Sequence, residues 1–526
     1  MFTKRETGSR TFSFLHAEAG FAFPLTEWRR SCGPVRIVWL ALSGVVSLTG
    51  MMVAGDRGTP AGLEGGRPNI LLILADDLAW SDLGCHGHPW HETPHLDALA
   101  RDGLGFSHGY APAPICSASR ASILTGKSPA RLGFEFVTKG QAGRQSLIPR
   151  VSLEAPPYTL NLPLGERTMG EMMEEAGYAT AWFGKWHLNA HYQRYLGWSP
   201  THGPQRQGFA TAEDTFGSHP YAYRGRNRPP VLPRKGAYPP DRLTEKVVRF
   251  LELPHRRPFF AILSHYYVHT PVDTPAVWLL DKYRDKIPPG VVNRNQRIKY
   301  AAFVDTLDHY IGELLRGLED AGKAGETLVV FTSDNGGHPE YASNAPLRGS
   351  KWNLYEGGIR VPFLFRWPGR LPAGTVCPEP VCAYDLYPTF AELAGKPAGL
   401  EEGLDGRTLS PLFQNPGKGF DRSLYWHFPY YHPEGRKFAE MQPGIGINDF
   451  AVSQTRPVSA LRRGSHKLLY FYEDDRQELY NLQVDPGETR DLSGTFPEKA
   501  ATLKKDLHQY LKQVGARMPK QVIVRP

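Results

Sequence analysis

Two pairs of hard oxygen ligands, Asp76-Asp77 and Asp334-Asn335, each close a run of apolar residues. Oxygens of this kind at the ends of two strands suit Ca2+ or Mg2+. Taken singly, either pair is more often a helix cap or a turn. Cys116 opens the run Cys-Ser-Ala-Ser-Arg-Ala-Ser-Ile-Leu-Thr-Gly126, with Arg120 one helical turn beyond the thiol. Ser117 and Ser119 are placed to cap a helix that starts there. An anionic oxygen at a helix N-terminus beside a guanidinium is well stabilised, although a lone cysteine more often reads as a buried thiol. Lys185 and His187 lie two apart in Gly-Lys-Trp-His, a spacing that puts an ammonium and an imidazole on one face of a β-like segment. The bland alternative is a surface lysine beside a hydrogen-bonded histidine. His265 and His269 follow another apolar run, and Lys351 lies in Gly-Ser-Lys-Trp. Such a set can neutralise the oxygens of an anionic ester, supply a nucleophile and protonate a leaving oxygen.

These residues need a scaffold, and the apolar runs provide one. Asn69 to Asp77 reads as a strand buried on both faces, and similar runs recur at Tyr178 to Phe183, Phe259 to Ser264, Thr327 to Thr332 and Val361 to Phe365. Helical periods fall between them, at Thr93 to Asp102, Thr168 to Ala176, Asp241 to Leu253, Gln296 to Ala321 and Tyr384 to Leu393. Alternating strands and helices predict an α/β fold with a large, mostly parallel sheet flanked by helices, whose site lies beyond the carboxyl ends of the strands. After Pro411 the texture changes. Ser459 to Tyr472 and Gln477 to Leu482 read as short antiparallel strands and Glu498 to Val514 as a closing helix. The expected division is a signal region at 1–54, a linker at 55–67, a catalytic domain at 68–410 and a smaller α+β C-terminal subdomain at 411–526.

A chain of 526 residues that is 41% hydrophobic can bury a large core. Its net charge of +8 falls to +5 once residues 1–54, with six Lys or Arg against three Asp or Glu, are set aside. That excess favours anionic substrates only mildly. No basic block with interleaved aromatics points to nucleic acid. Residues 37–54 are apolar and uncharged behind Arg29, Arg30 and Arg36, the order of a signal peptide with cleavage after Ala54. The rival reading is a membrane anchor. Because 1–34 is overlong for a basic leader, the start is expected nearer Val35. Of the five cysteines, Cys32 would leave with the signal, Cys85 reads as a small buried thiol, and Cys377 and Cys382 are near enough in sequence to pair in an oxidising compartment.

The run from Cys116 to Gly126 resembles the signature of the formylglycine-dependent (type I) sulfatases, which are arylsulfatase-like members of the alkaline phosphatase superfamily. Ala118 stands where that family usually has proline. Gly184-Lys-Trp-His187, His269-Thr-Pro271, Gly349-Ser-Lys-Trp352 and Glu356-Gly-Gly-Ile-Arg-Val-Pro362 follow in the family's order, as does Glu478-Leu-Tyr-Asn-Leu482 near the C-terminus. The resemblance implies that Cys116 is oxidised to 3-oxoalanine (formylglycine) by a sulfatase-maturing enzyme. One hydroxyl of the hydrate would attack sulfur and the second would expel sulfate. It implies one divalent cation, usually calcium, on Asp76, Asp77, Asp334, Asn335 and the modified Cys116. Arg120 would hold the hydrate, Lys185, His269 and Lys351 would bind sulfate, His269 would help the alcohol leave, and His187 would assist sulfate release. The implied substrate is a sulfated small molecule or glycan, met in the periplasm or outside the cell, with no stable membrane span after processing. Two rivals keep the fold: a phosphodiesterase or phosphonate monoester hydrolase with two metals, and an unmatured, inactive protein that binds sulfated sugar. Substrate choice is expected from the loops Gly133 to Gly165, His191 to Tyr238 and His427 to Arg456.

Overall fold

Asn69–Ala75 (β1) is buried on both faces, as its unbroken apolar run requires. In the computed structural model the described residues are 66–145, 152–213, 217–222, 229–396, 402–431 and 455–522. The signal region, Cys32, nearly all of the linker and most of the loop at 427–456 lie outside them. Around β1 the sheet is built from Leu104–Phe106 (β2), Ala179–Gly184 (β3), Thr211–Glu213 (β4), Phe259–Ser264 (β5), Thr327–Ser333 (β6), Phe363–Arg366 (β7) and Thr375–Cys377 (β8), in the order β8-β2-β7-β6-β1-β5-β3-β4. Of these eight, β7 runs against the rest, pairing antiparallel with both β6 and β2. The sheet is therefore mixed and mostly parallel, as the alternation of elements predicts.

Period-two alternation divides the core. Ile70, Leu72 and Leu74 of β1 face one layer, and Leu71, Ile73 and Ala75 face the other. Pro94–Arg101 (α1), Cys116–Thr125 (α2), Met169–Glu175 (α3), Arg242–Glu252 (α4), Arg294–Asp320 (α5) and Leu386–Leu393 (α6) cover these faces. Residues of α2, α3 and α6 pack on the first face, and those of α1, α4 and α5 on the second. The helix starts follow local chemistry. Thr168 and Glu171 form a reciprocal capping box for α3, and the Asp241 carboxylate accepts from Leu243 N and Thr244 N at the head of α4.

A second, antiparallel sheet follows in sequence, formed by Ser423–Phe428 (β9), Val458–Arg463 (β10), His466–Phe471 (β11) and Arg476–Asn481 (β12). The expected span Ser459 to Tyr472 divides into two strands at Gly464, whose φ of 57° suits a two-residue hairpin turn. Pro497–Gln513 (α7) seats Leu503, Leu507 and Leu511 on Leu461, Leu468 and Leu479. The other face of this sheet places Trp426, Ala460 and Leu469 against Tyr110, Trp352 and Tyr355. Buried charges join the two parts at the same seam. Lys467 Nζ on β11 lies 2.9 Å from Glu356 Oε1 and 2.9 Å from Glu488 Oε1, and Tyr110 donates to Glu356 Oε2 (2.7 Å).

The cysteines differ from expectation. Cys377 and Cys382 are both free and buried, and the Cys377 thiol donates to the Pro416 carbonyl (3.1 Å). Cys85 is only partly buried.

Candidate active site

β1 and β6 are parallel neighbours with Ala75 opposite Ser333, so the residues that follow each strand meet side by side. Asp76, Asp77, Asp334 and Asn335 are all buried there. Asp77 leaves the strand in the left-handed region (φ 63°), which aspartate tolerates better than most side chains. Its N–H donates to Asp334 Oδ1 (3.1 Å), and Asn335 Nδ2 donates to Asp77 Oδ1 (2.8 Å). Asp76 N donates to the Tyr267 carbonyl (2.9 Å) and Val268 N to the Asp76 carbonyl (2.8 Å). These bonds tie the segment after β5 to the end of β1 and so bring His269 to the carboxylates.

Three cations face the three carboxylates. Arg120 donates from Nε to Asp334 Oδ2 (2.9 Å) and from Nη1 to the Lys185 carbonyl and the Ser264 hydroxyl. Lys185 Nζ lies 2.8 and 2.6 Å from the two Asp76 oxygens, and Lys351 Nζ lies 2.7 Å from Asp77 Oδ2. Burial pushes the Asp76 carboxyl up to about 7 against the pull of Lys185, with Asp334 adding to the rise. At Asp77 burial acts in the same direction, but Lys351 and Lys185 outweigh it and hold the group below the usual carboxylate range.

Cys116 is the first residue of α2 and 2% exposed. Its Sγ lies 3.6 Å from Asp76 Oδ1 and 3.8 Å from Asp77 Oδ1. Burial, with Asp334 nearby, pushes the thiol well above its ordinary value, so the unmodified side chain is a poor nucleophile. The expected serine caps are corrected. The N-cap is Ile115 without a side-chain cap, Ser117 Oγ accepts from Thr138 N (3.3 Å), and Ser119 Oγ has no partner among the described residues. Ser117 and Ser119 lie inside the helix, two and four residues beyond its N-cap.

The histidines separate by their partners. β3 ends at Gly184 and His187 is left-handed (φ 57°), so strand alternation does not orient it with Lys185. Both His187 ring nitrogens are buried and unpartnered among the described residues, and burial with the charges of Lys185 and Arg120 keeps the ring neutral. His269 Nδ1 donates to the Thr270 carbonyl (2.5 Å), leaving Nε2 to accept from Lys351 (3.3 Å) and to lie 3.5 Å from Asp77 Oδ2. Burial and the two lysines depress its basicity. His265 is structural. Its Nδ1 accepts from Tyr266 N and Tyr267 N, and its Nε2 faces Asp241 Oδ2 at 3.1 Å. His265→Ala should therefore lower unfolding stability by roughly 1–3 kcal/mol, since it removes one buried partner of Asp241 and leaves the N–H groups of Tyr266 and Tyr267 without their acceptor. A denaturant midpoint equal to that of the parent chain would refute this role.

Sequence reasoning missed His219, in the loop between β4 and α4. It stacks on His269 with ring centroids 4.0 Å apart and planes 7° apart. No motif marked it. The only signal was the richness of that loop in Tyr, Arg, Pro and His.

The oxygens of this set fit a hard cation. Asn335 Oδ1 is buried without a hydrogen-bond partner among the described residues, and ligand atoms of Asp76, Asp77, Cys116 and His269 lie within 4.8 Å of one another. A second cluster of Asp82, His88 and His91 is equally tight, but one carboxylate oxygen and one nitrogen of each ring are engaged in the local structure. Tyr300 and Ala79 N donate to Asp82 Oδ2, His88 Nδ1 accepts from Trp90 N and His91 N, and His91 Nδ1 meets the Asp82 carbonyl.

The family model described as Sulfatase matches residues 68–396, and one described as N-sulphoglucosamine sulphohydrolase, C-terminal, matches 350–517. A protein named Sulfatase from Formosa agariphila is 31% identical over 82% of this chain and 86% of its own length. Arylsulfatase A of Homo sapiens is 32% identical over 84% of this chain and 88% of its own. Among solved structures, Ps i-CgsB in complex with k-i-k-neocarrahexaose superposes with a TM-score of 0.64 at 28% identity, covering 85% of this chain and 93% of that one. The alkaline-phosphatase-like sheet, the buried carboxylates beyond β1 and β6, and these matches lead to one assignment: the chain belongs to the sulfatase family and is a sulfuric ester hydrolase.

Proposed function

We propose that the chain hydrolyses a sulfate monoester on a carbohydrate, using formylglycine made from Cys116 and one divalent cation, Ca2+ or in its place Mg2+. The observation that carries this reading is the placement of Cys116, at the head of α2 and within 4 Å of two of the buried carboxylates. The likeness to a structure holding a neocarrahexaose supports a carbohydrate.

When present, the cation offsets negative charge, and the aldehyde supplies a hydrate with one hydroxyl to attack sulfur and another to release sulfate. Asp76, Asp77, Asp334 and the orphaned Asn335 oxygen would hold the ion. Arg120, anchored on Asp334, steadies the side chain at position 116. Lys185 and Lys351, which end on Asp76 and Asp77, bind the sulfate oxygens as charge develops on them. His269 and Lys351, 3.3 Å apart, together protonate the leaving oxygen. His187 accepts a proton during sulfate release. The phosphodiesterase and phosphonate reading is not favoured, since the matching family and the named relatives are sulfatases.

Removing divalent ions with a chelator should abolish hydrolysis of 4-nitrophenyl sulfate, and Ca2+ should restore it at one ion per chain. Two tightly held ions per active chain would favour the rival chemistry. A hydrazine reagent should label the peptide carrying Cys116. An unlabelled peptide in an active preparation would remove formylglycine from the scheme.

We place the enzyme in the periplasm or outside the cell, on the signal-like order of residues 29–54. No helix among the described residues is long and apolar enough to cross a membrane. Residues 68–410 would form the catalytic domain and 411–526 the C-terminal subdomain.

A further inference from the structure

His219 is an imidazole built into the site without a task. Both of its ring nitrogens are buried and neither has a hydrogen-bond partner among the described residues. Its ring lies face to face with His269, and Tyr266 meets it edge-on with centroids 5.8 Å apart. Two aromatic surfaces thus fix the plane of a ring whose polar edge is unspent. Leaving a buried donor and acceptor unmatched is costly, and a bound partner would recover that cost. Burial, with His269 and Lys185 nearby, keeps the ring neutral, so it offers one N–H and one lone pair.

The position of the ring says what that partner is. His269 touches Lys351, which reaches the carboxylate cradle at Asp77, and His219 stacks on that same imidazole, so it borders the site on the His269 side. A group there lies next to the ester oxygen, on the alcohol that leaves. We infer that His219 is a specificity residue that hydrogen-bonds a hydroxyl of the sugar ring beside the sulfated carbon. This rests on the proposed carbohydrate sulfatase activity and deepens it. A vicinal hydroxyl is both donor and acceptor, so it satisfies a neutral imidazole in either tautomer. An aryl sulfate with no such hydroxyl leaves the nitrogens unmatched.

The test compares wild type with His219→Ala, His219→Phe and His219→Asn on two probes. One is 4-nitrophenyl sulfate. The other is the monosaccharide sulfate hydrolysed fastest by the wild type, from a panel of glucose, galactose and N-acetylgalactosamine sulfates. The phenylalanine variant keeps a flat ring against His269 and removes only the nitrogens. The expected result is that KM for the sugar sulfate rises at least tenfold in the Ala and Phe variants, and the ratio of kcat/KM for sugar over aryl sulfate falls at least tenfold. Asn, which keeps a donor and an acceptor, should restore much of that ratio. The inference is overturned if Phe matches wild type on the sugar. It is equally overturned if all variants lose kcat alike on both probes, because the stack then only orders His269. A wild type that cleaves the aryl sulfate but no sugar also overturns it, whereas one that cleaves neither refutes the proposed function itself.

Discussion

Cys116→Ser should turn over less than the parent by roughly 10^6-fold, the scale seen when a catalytic nucleophile is removed. The reason is chemical rather than steric. Serine offers a single hydroxyl, which can take sulfate from substrate but leaves a stable sulfate ester with nothing on the same carbon to expel it. The variant should therefore accumulate a chain one sulfuryl group heavier after a single event, visible by intact mass. Its fold should persist, because serine is close to cysteine in size and the site around Sγ is polar, with Asp76 and Asp77 nearby. Steady turnover by this variant at the parental rate would rule out the aldehyde mechanism. Ala118, fully buried in α2, then bears only on how completely Cys116 is converted.

The largest expected effect on folding lies away from the chemistry, at Lys467. Its ammonium bridges Glu356 and Glu488, and all three side chains are buried at the seam between the two sheets. Burial pushes both carboxyls up. At Glu356 the charges of Lys467, Arg462 and Arg360 outweigh it, whereas at Glu488, which Glu356 also repels, burial prevails. Lys467→Met removes the shared counter-charge and should cost about 3–5 kcal/mol at neutral pH, the loss typical of breaking a buried pair. The deficit has a sign in pH. In the variant the facing carboxyls would hold a proton that the unfolded chain, with glutamates near 4.5, releases. The folded state then binds more protons, so stability falls as pH rises above that value. Denaturant midpoints for parent and variant should therefore lie closest near pH 5 and furthest apart near pH 8. A gap that stays constant across that range would show that the network is not electrostatic in origin.

Much of this architecture was legible because buried parallel strands announce themselves. The run from Asn69 to Ala75 is apolar at nearly every position, and β5 and β6 read the same way. Helix limits agreed closely where caps were explicit, as at Thr168 and Asp241. Short strands such as Leu104–Phe106 and, at the sheet edge, Thr375–Cys377 were not foreseen, since three residues show no period. Ser423–Phe428 escaped for a different reason: its polar and aromatic residues acquire a pattern only once it pairs with Val458–Arg463. The site was legible as an ordered set of motifs whose members the fold brings together. His219 was not, because stacking on His269 is a contact across sequence that no local spacing encodes. The serine caps failed because a helix that already starts at Cys116 turns them into interior positions.

The depth of Cys116 also sets a calendar. With the thiol only 2% exposed and Ile123 and Leu124 of α2 in the same buried core as Ile70, Leu72 and Leu74 of β1, the closed protein offers little room for a second enzyme's active site around that sulfur. On the proposed formylglycine reading, oxidation at this position would belong to the nascent chain, before the first face of the sheet is covered. A population that folded ahead of that modification would then be locked out of activity, whatever its stability.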